Sequence, residues 1–385
     1  MRTIAKLRVL SVLLALAAPA IQAERWKVQY FYDQDRAQLQ IADLAFPSAQ
    51  RGVAVGWIQA TNAERKPKAS ALVTSDGGEH WTLSPLKDEP RSVFFLNDSL
   101  GWMVADNGIW VTEEAGRSWR KVSDQKKPNA KLGPTPPGGL LRRVWFLDEQ
   151  HGFGVGYQKT VLETKDGGKT WMPVEEAAKP TGHPSFTGYS EIAFSGPLGL
   201  IVGASVPPRR DGGNYPAWAD PERAAKQRQR PTLTLILETR DTGTNWKSQT
   251  APVFGQVGAL SLAGLVGLDV MEFQDNFEVP SEVYRLDLST GGSTSVYRQK
   301  NRHVTDALVF GGGSRGFLAA VEPPGRMSNL PIPGKVKMLS STDLKEWREM
   351  DVDYRAVAGS LVLAGPDPDH VWAATDTGMI LKLVK

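Results

Sequence analysis

Thr74-Ser75-Asp76-Gly77-Gly78-Glu79-His80-Trp81 decides the fold of this chain, because the phrase returns. The pattern T-x-[DE]-x-G-x-x-W recurs from Thr112 to Trp119 with Glu114 replacing the aspartate, from Thr164 to Trp171 around Asp166 and Gly168, and from Thr239 to Trp246 around Asp241 and Gly243. A shortened copy runs Ser341-Thr342-Asp343-Leu344-Lys345-Glu346-Trp347. Recurrence at intervals of tens of residues marks a repeat architecture, in which each unit must stack on its neighbours to bury its apolar face. The carboxylate accepts hydrogen bonds from backbone N–H groups of a tight turn, and the glycine two positions later takes a positive φ without steric cost. Asp76, Glu114, Asp166, Asp241 and Asp343 are therefore read as turn formers rather than metal ligands or catalytic acids. The closing Trp81, Trp119, Trp171, Trp246 and Trp347 are large enough to fill the gap between adjacent sheets, each burying about 150–250 Å².

A second unit precedes each phrase: a short apolar strand ending in an aromatic residue or leucine, a turn, then a glycine opening another apolar strand. Leu44-Ala45-Phe46 leads to Gly52, Val93-Phe94-Phe95 to Gly101, Val144-Trp145-Phe146 to Gly152 and Ile192-Ala193-Phe194 to Gly199. Later copies start at Ala259, Ala307 and Leu361. Each continues into a third strand, a turn and a fourth strand, which is the pattern of a propeller blade. The last unit ends after three strands, while Trp26-Lys27-Val28-Gln29-Tyr30-Phe31-Tyr32 stands alone near the amino terminus. The sequence predicts an all-β, seven-bladed β-propeller of four-stranded antiparallel blades, closed by that N-terminal strand. The competing architectures, an open solenoid or two domains, lack a linker-like segment.

The phrase resembles the Asp-box (BNR) repeat of sialidases, sortilin-type receptors and photosystem II assembly-factor-like propellers. With Gly-Trp or Gly-Phe opening the second strand, the wording is most similar to photosystem II stability/assembly-factor-like proteins over nearly the whole chain after residue 23. That resemblance implies a non-catalytic protein that binds client membrane-protein segments through an arginine-bearing face.

Arg2, Lys6 and Arg8 precede the apolar run Val9 to Ala18 and a small-residue site ending at Ala23. This reads as a secretory signal peptide, residues 1–23, ahead of one propeller domain, 24–385, in a periplasmic or secreted protein. The net charge of +3 equals the three basic residues of that segment. The remainder is neutral, which gives no argument for nucleic acid. The chain has no cysteine, hence no disulfide framework, thiolate metal site or thiol nucleophile. The sequence shows no metal-binding histidine motif, no phosphate loop and no cofactor signature, and no segment after the leader is apolar enough to span a membrane.

Connections alternate between the two faces of a propeller, and here the long ones share one face: 58–70, 123–139, 175–188, 207–231, 273–280 and 321–335. Long loops on a rigid scaffold are where binding usually resides. The largest carries Arg209, Arg210, Arg223, Lys226, Arg228 and Arg230 with Tyr215 and Trp218, residue types common at protein interfaces. Counting four residues back from the aromatic that ends each first strand gives Ala42, Arg91, Arg142, Ser190, Gly258, Asp306 and Gly359. Arg91 and Arg142 fall at equivalent places on adjacent blades, with Arg143 and Glu191 beside them. Such arginines favour a carboxylate, a phosphate or an acidic peptide. An anionic ligand or a glycan fits the same mouth.

Two functions stand at this point. One is a non-catalytic binding or assembly propeller with a protein partner. The alternative is a secreted, sialidase-like glycoside hydrolase, which requires an arginine triad, an acid such as Asp306 and a Tyr189 nucleophile activated by Glu191.

Overall fold

The computed structural model describes residues 24–34, 36–60, 66–132, 138–207, 232–251, 255–273, 279–323 and 332–385. The leader, Tyr215 and Trp218 lie outside the described residues.

Successive units of sequence form successive antiparallel sheets, as the repeat requires. Five separate four-stranded sheets hold residues 37–85, 90–124, 141–173, 187–251 and 256–298, called blades one to five. Blade six is built on four strands from His303–Phe310 to Arg348–Val352. Blade seven has Leu361–Asp367, His370–Thr375 and Met379–Val384, and its fourth strand is Arg25–Phe31 from the other end of the chain. Trp26 pairs antiparallel with Leu383 and Val28 with Leu381, so the N-terminal strand closes the ring as the sequence predicts. The same strand also runs parallel to the outer strand of blade six, pairing Arg25 with Asp351 and Trp26 with Val352, which merges blades six and seven into one sheet. This second pairing is not legible in the repeat.

The core is divided among the gaps between blades. Second strands are buried almost throughout, as in Gly101–Ala105 and Gly152–Gly156, because they face neighbours on both sides. The Asp-box turns pin the opposite face from the long loops. Thr74 Oγ1 donates to Asp76 Oδ1 at 2.8 Å and accepts from Gly78 N at 2.9 Å, while His80 N donates to Asp76 Oδ1 at 3.0 Å. The Thr164–Asp166 and Thr239–Asp241 turns repeat this arrangement. Where Glu114 replaces aspartate, its carboxylate accepts from the Ser118 hydroxyl, and Thr112 still receives Gly116 N. In the shortened copy Asp343 accepts from Ser341, Lys345 N and Glu346 N. Trp81, Trp119, Trp171, Trp246 and Trp347 each lie half-buried against an inter-blade core.

Candidate functional site

The loop face is shaped by a β-bulge near the start of the innermost strands. In blades one to five the ladder slips at Ala42, Arg91, Arg142, Ser190 and Gly258. A bulge leaves one residue out of the ladder and re-aims its side chain relative to the next. The second strand meets the bulge with a glycine in three blades. A Cβ on Gly56 or Gly156 would lie 1.9 Å from the carbonyl oxygen of Gln40 or Leu140, so no larger residue permits this approach.

In blade six the slip falls at Thr305, one residue earlier than the register counted from the sequence. Asp306 is therefore equivalent to Asp43, Arg143 and Glu191, not to Arg91 and Arg142. These four line the central cavity, of about 390 Å³, together with Glu272, His303, Phe94 and Trp145. Arg143 Nε lies 3.1 Å from Glu191 Oε2, and its Nη1 lies 3.7 Å from Asp43 Oδ2. Glu191 foremost, then Asp43 and Asp306, hold the guanidinium firmly charged. Asp43 and Asp306 also staple blades together. Asp43 accepts from Leu44 N of its own blade and Val93 N of the next; Asp306 accepts from Ala307 N and from Leu363 N of blade seven. Burial pushes the carboxyls of Asp43 and Glu191 up, and raises Asp306 to about 7. His303, which shows no partner in the sequence, sits 3.1 Å from Glu272.

Arg91 and Arg142 point out of the channel into two clefts. The first, about 170 Å³, is lined by Trp57, Glu89, Arg91, Asp106, Arg142 and Tyr157. Arg91 pairs with Asp106 at 2.6 Å. Arg142 lies over the Tyr157 ring, 5.4 Å from its centroid, and among the described residues no carboxylate stands within ion-pair distance of it. The second cleft, about 340 Å³, runs from Arg142 and Tyr157 to Phe186, Val206 and Gln256 between blades three, four and five. Tyr157 is held by the turn that follows it. Gln158 and Lys159 both take positive φ, at 54° and 58°, and their side chains are tied to Asn129 and to the Pro180 carbonyl.

Trp57 and Tyr157 are site residues that the motif search passes over. The signal was present: each stands five residues after the glycine that opens its second strand, Gly52 and Gly152, and Asp106 stands five after Gly101.

The hydrolase alternative needs Tyr189 beside Glu191, and the bulge at Ser190 separates them. Tyr189 is buried in the core between blades three and four and donates to the Ala177 carbonyl at 2.9 Å, while Glu191 faces Arg143. Burial raises the Tyr189 hydroxyl well above its ordinary range, the reverse of activation. Among the described residues no group of three or more potential ligands is placed to hold a metal ion, and no helix is long and apolar enough to cross a membrane.

A family model described as photosynthesis system II assembly factor YCF48 matches residues 136–208, the stretch holding Arg142, Arg143, Tyr157 and Glu191. The chain resembles the Ycf48-type Asp-box propellers. The photosystem II assembly protein Ycf48 of Thermosynechococcus vestitus is 25% identical over 306 residues, which cover 73% of this chain and 79% of that protein. The photosystem II stability/assembly factor HCF136 of Oryza sativa is 37% identical over 76 residues, spanning 18% of that protein, and the HCF136 of Arabidopsis thaliana matches over 21% of its length. Among solved structures, one titled YCF48 bound to D1 peptide superposes with a TM-score of 0.56 at 17% identity, covering 92% of this chain and 98% of that one. YCF48 from Cyanidioschyzon merolae gives 0.54 at 14% identity, covering 93% and 98%. An ancestral GH74 enzyme gives 0.55 at 12%, with 45% of that chain covered. At such identities the structural matches establish the Ycf48-like fold and nothing about activity.

Proposed function

We propose that this chain is a non-catalytic assembly propeller that holds a segment of a client protein, one belonging to a membrane complex, on its loop face in the periplasm or outside the cell. The observation that carries this reading is Arg142, aimed by its bulge to the lip shared by two clefts and stacked on Tyr157 rather than paired with an acid. An arginine presented on an aromatic ring offers donors to a carboxylate while its stem covers apolar surface. Trp57, Tyr157 and Phe186 supply apolar contact beside it, and Arg91 lies across the smaller cleft. Similarity to the Ycf48 and HCF136 assembly factors supports a protein client, and the peptide named in one related structure's title supports a client bound as an extended segment. The sequence of residues 1–23 supports export. In this reading Tyr215 and Trp218, which lie outside the described residues, also contact the client.

Affinity capture from envelope extract, run with the protein and an Arg91→Ala/Arg142→Ala variant and read by mass spectrometry, tests the proposal. A client captured by the first and lost by the second is the expected result. Capture of nothing, or equal capture by both, overturns the site. Hydrolysis of a glycan panel by the purified protein would overturn the non-catalytic reading.

A further inference from the structure

Among the described residues, every gap between blades but one holds a tryptophan. Trp81 fills the gap between blades seven and one, Trp119 that between one and two, Trp171 that between two and three, and Trp246 that between three and four. Trp347 fills the gap between five and six, and Trp26 of the closing strand the gap between six and seven. Blade five has none to offer, because it turns through Asp287-Leu288-Ser289-Thr290-Gly291-Gly292 where its neighbours place an Asp box. The gap between blades four and five forgoes the roughly 150–250 Å² that such a ring buries. Its contiguous buried cluster is Val202, Val257 and Met271, whereas every other gap has a buried cluster of seven residues or more.

The same gap receives a carboxylate where the repeat calls for an apolar residue. Two residues after the glycine that opens the second strand, blades one to four and six place Ala54, Met103, Gly154, Ile201 and Leu318, all buried. Blade five places Asp269, also buried, and its Oδ1 has no hydrogen-bond partner. The groups that face it bring no cation within reach. Glu191 of blade four repels its charge. Tyr284 lies opposite on the third strand, and Glu282 beside it is held by the Ser295 hydroxyl, 3.9 Å from Arg298. Leu198–Ser205 and Gln256–Ala263 carry no ionisable residue, Glu238 on the third strand of blade four pairs with Arg240, and Glu272 faces His303. An unpaired polar group in such a core costs stability, and a charge costs more. The seam is held at its margins instead. The Ser190 hydroxyl donates to the Val257 carbonyl at 3.1 Å, Gly264 N to the Ser195 hydroxyl at 2.7 Å, and Arg240 Nη2 to the Leu288 carbonyl at 2.8 Å.

We propose that the ring is built to open at this one seam, blades four and five parting from each other with Asp269 as the trigger. Openings short of global unfolding start where the least apolar surface is buried, and the tryptophan-filled gaps keep the rest of the ring stiff. While the gap is closed, burial first and then Glu191 raise the Asp269 carboxyl to about 7. Once the gap parts, water reaches the carboxyl and it returns toward about 4. The parted form therefore gains by up to about tenfold per pH unit from about pH 4 to pH 7 and levels off above. The second cleft is lined by Ala204 and Val206 on one side of the seam and Gln256 on the other, so parting widens it whatever it holds.

The chain has no cysteine, so a single introduced thiol reports one gap. Val202→Cys sits in the seam and Val55→Cys in the gap between blades one and two, both on second strands and both buried. Each is labelled in the native protein with a methanethiosulfonate reagent at pH 5 and pH 7, and each rate is divided by that of the same variant unfolded in urea at that pH, which removes the ionisation of the thiol. The expected result is faster labelling of Val202→Cys than of Val55→Cys, with the Val202→Cys rate rising by at least about tenfold from pH 5 to pH 7. Asp269→Asn in the same background should abolish that rise. Hydrogen exchange of the unsubstituted protein makes the test independent of the variants: Leu198–Ser205 and Val266–Glu272 should be less protected at pH 7 than Gly52–Ala60 and Gly101–Ala105. Equal labelling of the two thiols overturns the proposal. So does a pH effect that survives Asp269→Asn, or uniform protection of the four strands.

Discussion

The indole of Trp102 in blade two lies flat on the ring of Phe146 in blade three, 3.6 Å between centroids and 6° from parallel, and its Nε1 donates to the carbonyl of Gly167 at 3.0 Å. Trp372 of blade seven repeats the relationship across the closure, stacked 3.7 Å from Phe46 with its Nε1 3.2 Å from the Gly77 carbonyl of blade one. The Asp-box turn is thus an acceptor for the blade before it. Trp102→Phe, which keeps the ring and loses the donor, should cost about 1 kcal/mol, and Trp102→Ala about 3–5 kcal/mol. Urea denaturation followed by circular dichroism checks both values. Equal losses in the two variants would show that the hydrogen bond, not the stack, holds the interface.

Adjacent arginines should behave oppositely. Arg143→Ala leaves Asp43 and Glu191 without their cation in the central cavity. Its side chain is 37% exposed, so the loss falls below that of a fully buried pair, on the order of 2 kcal/mol. Arg142→Ala removes a group that faces solvent and Tyr157, and should change stability by less than about 1 kcal/mol while weakening client binding. Thermal melts beside the capture assay separate the two. A destabilised Arg142→Ala with unchanged capture would place its role in the fold.

Gly156→Ala forces a methyl group into the Leu140 carbonyl. The bulge must then shift and Arg142 with it, at a cost of about 1–3 kcal/mol. The expected signature is a loss of client binding larger than Arg142→Lys produces, with a lowered melting temperature. Gly291→Ala is the control: no heavy atom lies within 4 Å of its added methyl, so only its positive φ of 72° is strained.

Two sets of carboxyls set the pH dependence with opposite sign. Burial raises Asp269 and Asp306 to about 7, against about 4 in an unfolded chain. Between those values the folded protein binds more protons than the unfolded one, so their stabilisation is complete below about pH 4 and lost as pH rises through 7. The turn carboxylates run the other way. Asp166, lowered to about 2 by the Thr170 hydroxyl and backbone, and Asp241 and Asp343, also lowered, stabilise above about pH 4 and lose this as pH falls. Melting temperature should therefore peak near pH 4–5 and decline toward pH 8. Asp269→Asn should flatten the decline. A melting temperature that rises from pH 5 to 8 would contradict the assignment.

Fold and site were unequally legible. Blade count and closure follow from local patterns: a glycine at a fixed step, a carboxylate in a turn, and a lone β-prone run at one end answering a missing strand at the other. Arg91 and Arg142 could be matched because they share a place in the repeat. Trp57 and Tyr157 share one also, but their partner in the repeat, Asp106, differs in chemistry and masks the correspondence. The parallel pairing of Arg25 and Trp26 with blade six carries no local signal, since it depends on how far the closing strand reaches past its own blade.

The sequence by itself determined that this chain is a closed ring of seven blades, because each blade's turns and apolar alternation are specified within its own residues and stacking is the one way to bury them. What only the tertiary structure decided is which way neighbouring side chains point. Arg142 and Arg143, or Tyr189 and Glu191, are distributed between cleft, core and channel by a bulge. In blades three and four the glycine on the facing strand, Gly156 or Gly203, lets one carbonyl approach that bulge too closely for any side chain, a relationship between strands that meet only after folding.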